Sequence, residues 1–248
     1  MSHERNIRLI LAFDGTAYHG WQIQQIEPTV QGIVRAAVEK ITGGSVNLIG
    51  SGRTDAGTHA RALVANFVST STIPIESLVK GLNTLLPRDI RILSGRLAPR
   101  AFHAQRSARS KIYRYQIYRG KVLLPHLARE HFHYPYPLDL DVMARGARIF
   151  SGRHDFASLA ARSGSAVSNT IRTLYRSELK SKGLRLSYTV EADGFLHHMV
   201  RNIVGTLLEA GRGRMTMEDL RALFEKRDRT LAGFTAPAHG LVLVRVRY

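Results

Sequence analysis

One carboxylate stands in a basic, glycine-rich run: Gly50-Ser51-Gly52-Arg53-Thr54-Asp55-Ala56-Gly57-Thr58-His59. The glycines on either side of Asp55 predict a tight loop in which backbone comes close to another part of the molecule. Arg53, His59 and Arg61 are its charged neighbours in sequence, and cations within a few Å hold a carboxylate in its charged form. A charged carboxylate facing a polyanion is repulsive, so its presence calls for chemistry. Nucleophile and general base are the two roles open to it. The plainer reading is a turn-forming Asp. Two phosphate-cradling rivals fail. Gly50-x-Gly52 has its third glycine at the wrong distance for a dinucleotide fingerprint, and the following ALVANFV reads as a strand rather than a helix. A Walker-type loop is absent.

Three other places carry reactive or binding side chains. Arg96 to Lys121 holds eight Lys or Arg, no Asp or Glu, and Tyr113, Tyr115 and Tyr118. Basic groups interleaved with aromatics suit a surface that grips phosphates and stacks bases. On a strand, Tyr113 and Tyr115 share one face and Arg114 and Gln116 the other. For any one of these tyrosines, an ordinary place in the core competes with base stacking. In Phe195 to Ile203 (FLHHMVRNI), Arg201 sits one position from an apolar helical stripe, where a cation can reach into a cleft or simply edge a solvated face. His197 and His198 are neighbours and diverge by about 100° on a helix, with no carboxylate at ligand spacing; His131 and His133 stand isolated. No metal site is expected from them. Ala236 to Leu243 is a Pro-Gly turn entering a buried strand and alone says nothing.

The elements that must position these groups alternate. Asn6–Phe13 reads as a buried strand. Thr29–Thr42 reads as a helix stopped by Gly43-Gly44, with Val30, Ile33, Val34, Ala37, Val38 and Ile41 on one face. Val46–Ile49 and Leu63–Val68 are expected strands. Ile75–Leu86 is a second amphipathic helix closed by Pro87, and Ile90–Leu97 a further strand. A second set follows Arg109: a strand at Lys111–Tyr118 and a helix at Leu140–Phe150. Leu184 to Glu191 is a strand with Leu184, Leu186, Tyr188 and Val190 inward. A helix over Met199–Gly211 is followed by a capping box at Thr216–Asp219 that opens a last helix, and then by a strand at Leu241–Tyr248. Ala160–Thr170 is the expected flexible loop. The order implies mixed sheets with helices on one face, and domains at 1–105 and 106–248.

Composition points to the partner. The chain of 248 residues has 36 Lys and Arg against 19 Asp and Glu, a net charge of +17. Arg outnumbers Lys 29 to 7. A guanidinium fork grips phosphate oxygens in pairs, so a phosphate backbone is the natural counterpart. Arg-biased codon usage explains a preference for Arg over Lys, but not the shortage of acids. With no cysteine, disulfides, Cys-ligated zinc and thiol catalysis are excluded together. No stretch approaches the length of an apolar membrane span, and the start leaves no room for a signal peptide; a cytoplasmic protein is expected.

Taken together, the motifs resemble the tRNA pseudouridine synthase A family along nearly the whole chain. FDGTAYHGWQIQ, TVQG, GRTDAGTHA, LPRDIRI, KIYRYQI, GRHDFAS, FLHHMVRNIVG and TAPAHGL are similar to that family's blocks and stand in the same order. The resemblance implies an α+β fold of two ferredoxin- or RRM-like domains whose antiparallel sheets meet in a basic catalytic cleft. It implies a homodimer acting on tRNA at uridines 38, 39 and 40 of the anticodon stem-loop, with no metal or organic cofactor. It makes Asp55 the nucleophile, Tyr113 the ring on the target uracil, and Arg53 the cation beside the flipped nucleotide. Arg201 then pairs with Asp55, and Leu241 packs near the base. A non-catalytic RNA-binding protein is the alternative, but such a protein has no use for a lone acid in a basic loop. A phosphotransferase would need clustered metal-binding acids.

Overall fold

The computed structural model describes residues 4–161 and 169–248. Two compact units form: Met1–Arg109 with Leu243–Tyr248, and Ser110–Val242.

The first unit runs β1 (Arg5–Phe13), α1 (Val30–Thr42), β2 (Ile49–Gly50), β3 (His59–Ser69), α2 (Ile75–Leu85) and β4 (Ile90–Ala98). β1 pairs antiparallel with both β3 and β4, and β2 pairs antiparallel with β3. That order, β4-β1-β3-β2, is the interleaved βαββαβ arrangement of ferredoxin-like folds. Ile7, Leu9 and Leu11 lie opposite Phe67, Ala65 and Leu63, and all six are fully buried. Val30, Val34 and Val38 of α1 and Leu78 and Leu82 of α2 are buried with them. Thr29 caps α1 by accepting from the Gly32 N–H, and Gly43 closes it in the left-handed conformation at φ 74°; glycine takes that conformation at no steric cost.

The other face of this sheet carries Asn6, Arg8 and Asn66 and is covered by the segment 99–107. Asn6 Nδ2 donates to the Pro99 and Phe102 carbonyls at 3.0 and 2.8 Å. Asn66 Nδ2 donates to Asn6 Oδ1 at 2.9 Å, and the Ala104 N–H donates to Asn66 Oδ1 at 2.8 Å. Arg8 lies over the rings of Phe102 and Tyr248, 5.5 and 4.6 Å from their centroids. Buried amides whose hydrogen bonds are met in this way fix a segment firmly. Arg8, Asn6 and Asn66 are therefore engaged by protein at positions where an RRM would present its sheet to RNA.

The second unit runs β5 (Ser110–Tyr118), β6 (Phe132–His133), α3 (Leu140–Ile149), β7 (Gly152–Asp155), β8 (Ile171–Lys182), β9 (Arg185–Ala192), α4 (Met199–Gly211) and α5 (Met217–Lys226). Its strand order is β5-β9-β8-β7, with β6 beside β5. The β5-β9, β9-β8 and β8-β7 pairs are antiparallel, while β6 runs parallel to β5. Thr216 and Asp219 form the expected capping box of α5. β10 (Leu241–Arg247) begins in this unit and ends in the first.

Three expectations are corrected. Val46–Ile49 is not a strand; the ladder there is only Ile49–Gly50, because the Leu48 carbonyl accepts from Gln31 Nε2 at 2.7 Å instead of from a neighbouring strand. Leu184 does not face inward. It is 53% exposed in the β8-β9 turn, where Gly183 has φ 59°. The sequence carries no clear periodic signal at β8, which is nevertheless a 12-residue strand. The expected 160–170 loop falls largely on residues 162–168, outside the described residues.

Candidate active site

The Asp55 loop is shaped by a second loop, 13–21, that lies against it. Each close approach occurs where there is no side chain. A Cβ on Gly15 would stand 2.1 Å from the Thr58 carbonyl oxygen, and one on Gly20 would stand 2.3 Å from the Thr54 oxygen. A Cβ on Gly50 would enter the indole of Trp21, itself 1% exposed. Hydrogen bonds follow the same contacts: the Trp21 N–H donates to the Thr54 carbonyl and the Gly57 N–H to the Tyr18 carbonyl, both at 3.2 Å. The Thr58 N–H closes a turn on the Asp55 carbonyl at 3.0 Å, and Gly57 takes φ 77° within it. The blocks FDGTAYHGW and GRTDAGTHA are thus the two halves of one interlock. Asp55 is left half-buried and Arg53 exposed.

His59 does not behave as a bystander cation. It is 4% exposed, and its Nδ1 lies 3.0 Å from the Gly15 N–H and 3.1 Å from Asp14 Oδ1. Tyr18 donates from its hydroxyl to Asp89 Oδ1 at 2.6 Å; burial first, and then the Asp89 carboxylate, hold that phenol well above its ordinary pKa. Asp14, Tyr18 and Asp89 had no assigned role in the sequence. Their signal was only that they fall in FDGTAYHGW and LPRDIRI.

In the second unit, Tyr113 and Tyr115 do share a face, and it is the covered one: they lie opposite Val190 and Tyr188, both fully buried. Tyr115 is core. It is fully buried, and its hydroxyl donates to the Pro237 carbonyl at 2.7 Å. Burial raises its pKa, with Arg201 opposing the shift. Tyr113 is 6% exposed, with its ring edge-on to Phe195 at 5.0 Å between centroids. Arg201, third residue of α4, donates from Nε to the Ala236 carbonyl at 2.7 Å, and the Ala236 N–H returns to the Arg201 carbonyl at 3.2 Å. Leu241, 6% exposed, opens β10 directly after the turn Ala238–Gly240. TAPAHGL therefore ties Arg201 to Tyr115, two residues from Tyr113.

That turn is anchored in turn by a buried amide. Asn202, fully buried, donates to the Leu159 carbonyl at 2.7 Å and accepts from Thr235 Oγ1 at 2.6 Å and Arg229 Nη2 at 3.1 Å. His198, at the N-cap of α4, adopts φ 58°, a conformation uncommon outside glycine that gathers at functional sites.

The model of a family described as tRNA pseudouridine synthase matches residues 9–105 and 147–248. A "tRNA pseudouridine synthase A" of Thermoanaerobacter sp. (strain X514) is 41% identical over 98% of this chain and 100% of its own length. Proteins of the same name from Caldicellulosiruptor bescii and Solibacter usitatus are 44% and 45% identical, each over 98% of this chain and 100% of its own length. The chain belongs to the tRNA pseudouridine synthase family. Its activity is isomerisation of uridine to pseudouridine in tRNA, which sets aside the non-catalytic and phosphotransferase readings. Among the described residues no helix is long and apolar enough to cross a membrane.

Proposed function

We propose that this synthase acts on uridines 38, 39 and 40 of the tRNA anticodon stem-loop, as a cytoplasmic homodimer without metal or organic cofactor, with Asp55 as its nucleophile. The observation that carries the nucleophile assignment is the loop itself. Two glycine-lined backbone contacts and three hydrogen bonds hold the chain around one half-buried carboxylate, in a protein of net charge +17. An Asp needed only for a turn would not require a partner loop moulded around it.

The reaction breaks the bond from ribose C1′ to N1, turns the uracil, and joins C1′ to C5. The C5 proton leaves and N1 gains one, so atoms and electrons balance with no redox partner. A carboxylate oxygen can attack C6 of the ring or C1′ of the sugar; either makes Asp55 a covalent participant. The uridine must first leave its stack, at a cost of a few kcal/mol. Exposed arginines, Arg53 among them, offset this by holding phosphates. In this reading Arg201 pairs with Asp55, and Leu241 and Tyr113 meet the base. Because Tyr113 is nearly covered in the free protein, its ring meets a uracil only after a side-chain shift or along its remaining open edge.

Position is tested with three tRNA transcripts, each keeping one uridine at 38, 39 or 40 and a paired stem. Pseudouridine is expected in all three; product only outside the anticodon arm contradicts the assignment. Tyr113 is tested by comparing Tyr113→Phe, which keeps the ring, with Tyr113→Ala. If stacking is the main contribution, the alanine variant loses more, by about 1–3 kcal/mol. Equal large losses would place the function in the hydroxyl instead, as a proton carrier for C5.

A further inference from the structure

Taking Asp55 as the nucleophile, we infer that Asp14 is a positioning residue for it, acting through His59. Four hydrogen-bonding groups converge on this point from two segments. Asp14 Oδ1 accepts from the Thr16 N–H at 3.0 Å and from the Thr16 hydroxyl at 2.6 Å. The same oxygen stands 3.1 Å from His59 Nδ1, which is also 3.0 Å from the Gly15 N–H. With Nδ1 unprotonated, His59 accepts from Gly15; with Nδ1 protonated, it donates to Asp14. Either way, the first residue of β3 is fastened to the turn after β1. His59 follows Asp55 by four residues and Thr58 by one, and Thr58 supplies both the N–H that closes the Asp55 turn and the carbonyl against which Gly15 is pressed.

The loop 13–21 is also held by a third segment, at Asp89. The Asp14 N–H donates to the Asp89 carbonyl at 2.9 Å, and Tyr18 reaches the Asp89 carboxylate. Asp14 is therefore fixed through its backbone by one segment and fixes His59 through its side chain. Asp14 is 28% exposed and His59 only 6% by side chain. The Asp14 carboxylate meets Thr16 and His59, and through His59 it bears on the placement of the Asp55 loop. A displacement of about 1 Å at a reacting group can cost on the order of 100-fold in rate.

The test is single-turnover pseudouridine formation, with enzyme in excess over tRNA and rates expressed per folded molecule. Asp14→Ala is expected to slow the chemical step about 10- to 100-fold while tRNA affinity stays near wild type. Asp14→Asn keeps an acceptor oxygen at the same place and should recover most of the lost rate. A wild-type rate in Asp14→Ala, or an Asn variant as slow as the alanine one, overturns the positioning role. Should Asp14→Ala fail to fold, His59→Asn and His59→Gln carry the comparison. The Asn amide falls near the place of Nδ1 and should support the reaction; the Gln amide falls nearer Nε2 and should not. Equal rates in those two would be the overturning result. Asp55→Asn run alongside separates the two ideas. Activity there ends the nucleophile reading, whereas an inactive Asp55→Asn beside a fully active Asp14→Ala ends only the positioning role.

Discussion

Asp55→Asn should abolish pseudouridine formation while leaving the fold intact and tRNA binding unchanged or tighter. The substitution keeps side-chain size, and the loop's shape depends on groups it does not touch: the Asp55 carbonyl that accepts from Thr58, the Tyr18 carbonyl that accepts from Gly57, and the Thr54 carbonyl that accepts from Trp21. An amide oxygen is uncharged and a poor nucleophile, so the covalent step has nothing to begin with. Removing one negative charge from a chain with 36 basic residues and 19 acidic ones can only ease the approach of a polyanion. An Asp that merely shaped a turn would give the opposite pattern, because Asn forms such turns equally well.

The largest structural effect is expected from Gly205→Ala. A Cβ at this position in α4 would stand 1.7 Å from the Phe234 carbonyl oxygen and 2.8 Å from its carbon. These are backbone atoms, so no side chain can rotate aside. Gly233, on the facing segment, also has no room for a side chain: a Cβ there would stand 2.7 Å from Gly205 and Thr206 backbone atoms, and its N–H donates to Thr206 Oγ1 at 3.0 Å. Alanine gains about 1 kcal/mol over glycine inside a helix, but overpacking against fixed backbone costs roughly 2–4 kcal/mol. Overpacking wins, and thermal denaturation should show a Tm lower by on the order of 5–10 °C. Activity should fall as well, since the displaced segment leads into the turn that holds Arg201 and Tyr115. Gly44→Ala, with nothing within 4 Å of its Cβ, serves as the control and should be neutral. A Gly205→Ala protein as stable as wild type would mean that α4 and the 232–235 segment are not in backbone contact.

Much of this architecture was legible in the sequence because it is written in local periodicity. The helices α1, α2, α4 and α5 announce themselves by apolar stripes and caps, and β1 by its run of buried residues. β8 was not legible: RTLYRSELKSK has only Leu174 and Ser177 buried, and Arg176, Glu178 and Lys180 read as solvated loop until β9 is seen beside them. Nor can LVLVRVR say which unit its residues will join, since strand pairing is decided by partners distant in the chain. At the site, a lone acid among glycines singled out Asp55. Alternation placed Tyr113 and Tyr115 on one face, but could not tell that α4 and the TAPAHGL turn would cover it. The Asp14–His59 contact spans some 45 positions of sequence, and no spacing rule reaches that far.

The nucleophile assignment is tested most directly with tRNA carrying tritium at C5 of its uridines. The C5–H bond must break whenever C5 takes the ribose, so label released into water counts turnovers with no dependence on how product is detected. The wild-type protein should release tritium in step with pseudouridine formed. Asp55→Asn, folded and binding tRNA, should release none beyond the enzyme-free background. Sustained release by that variant would contradict Asp55 as the nucleophile and leave the glycine-rich loop without the chemical role argued for it.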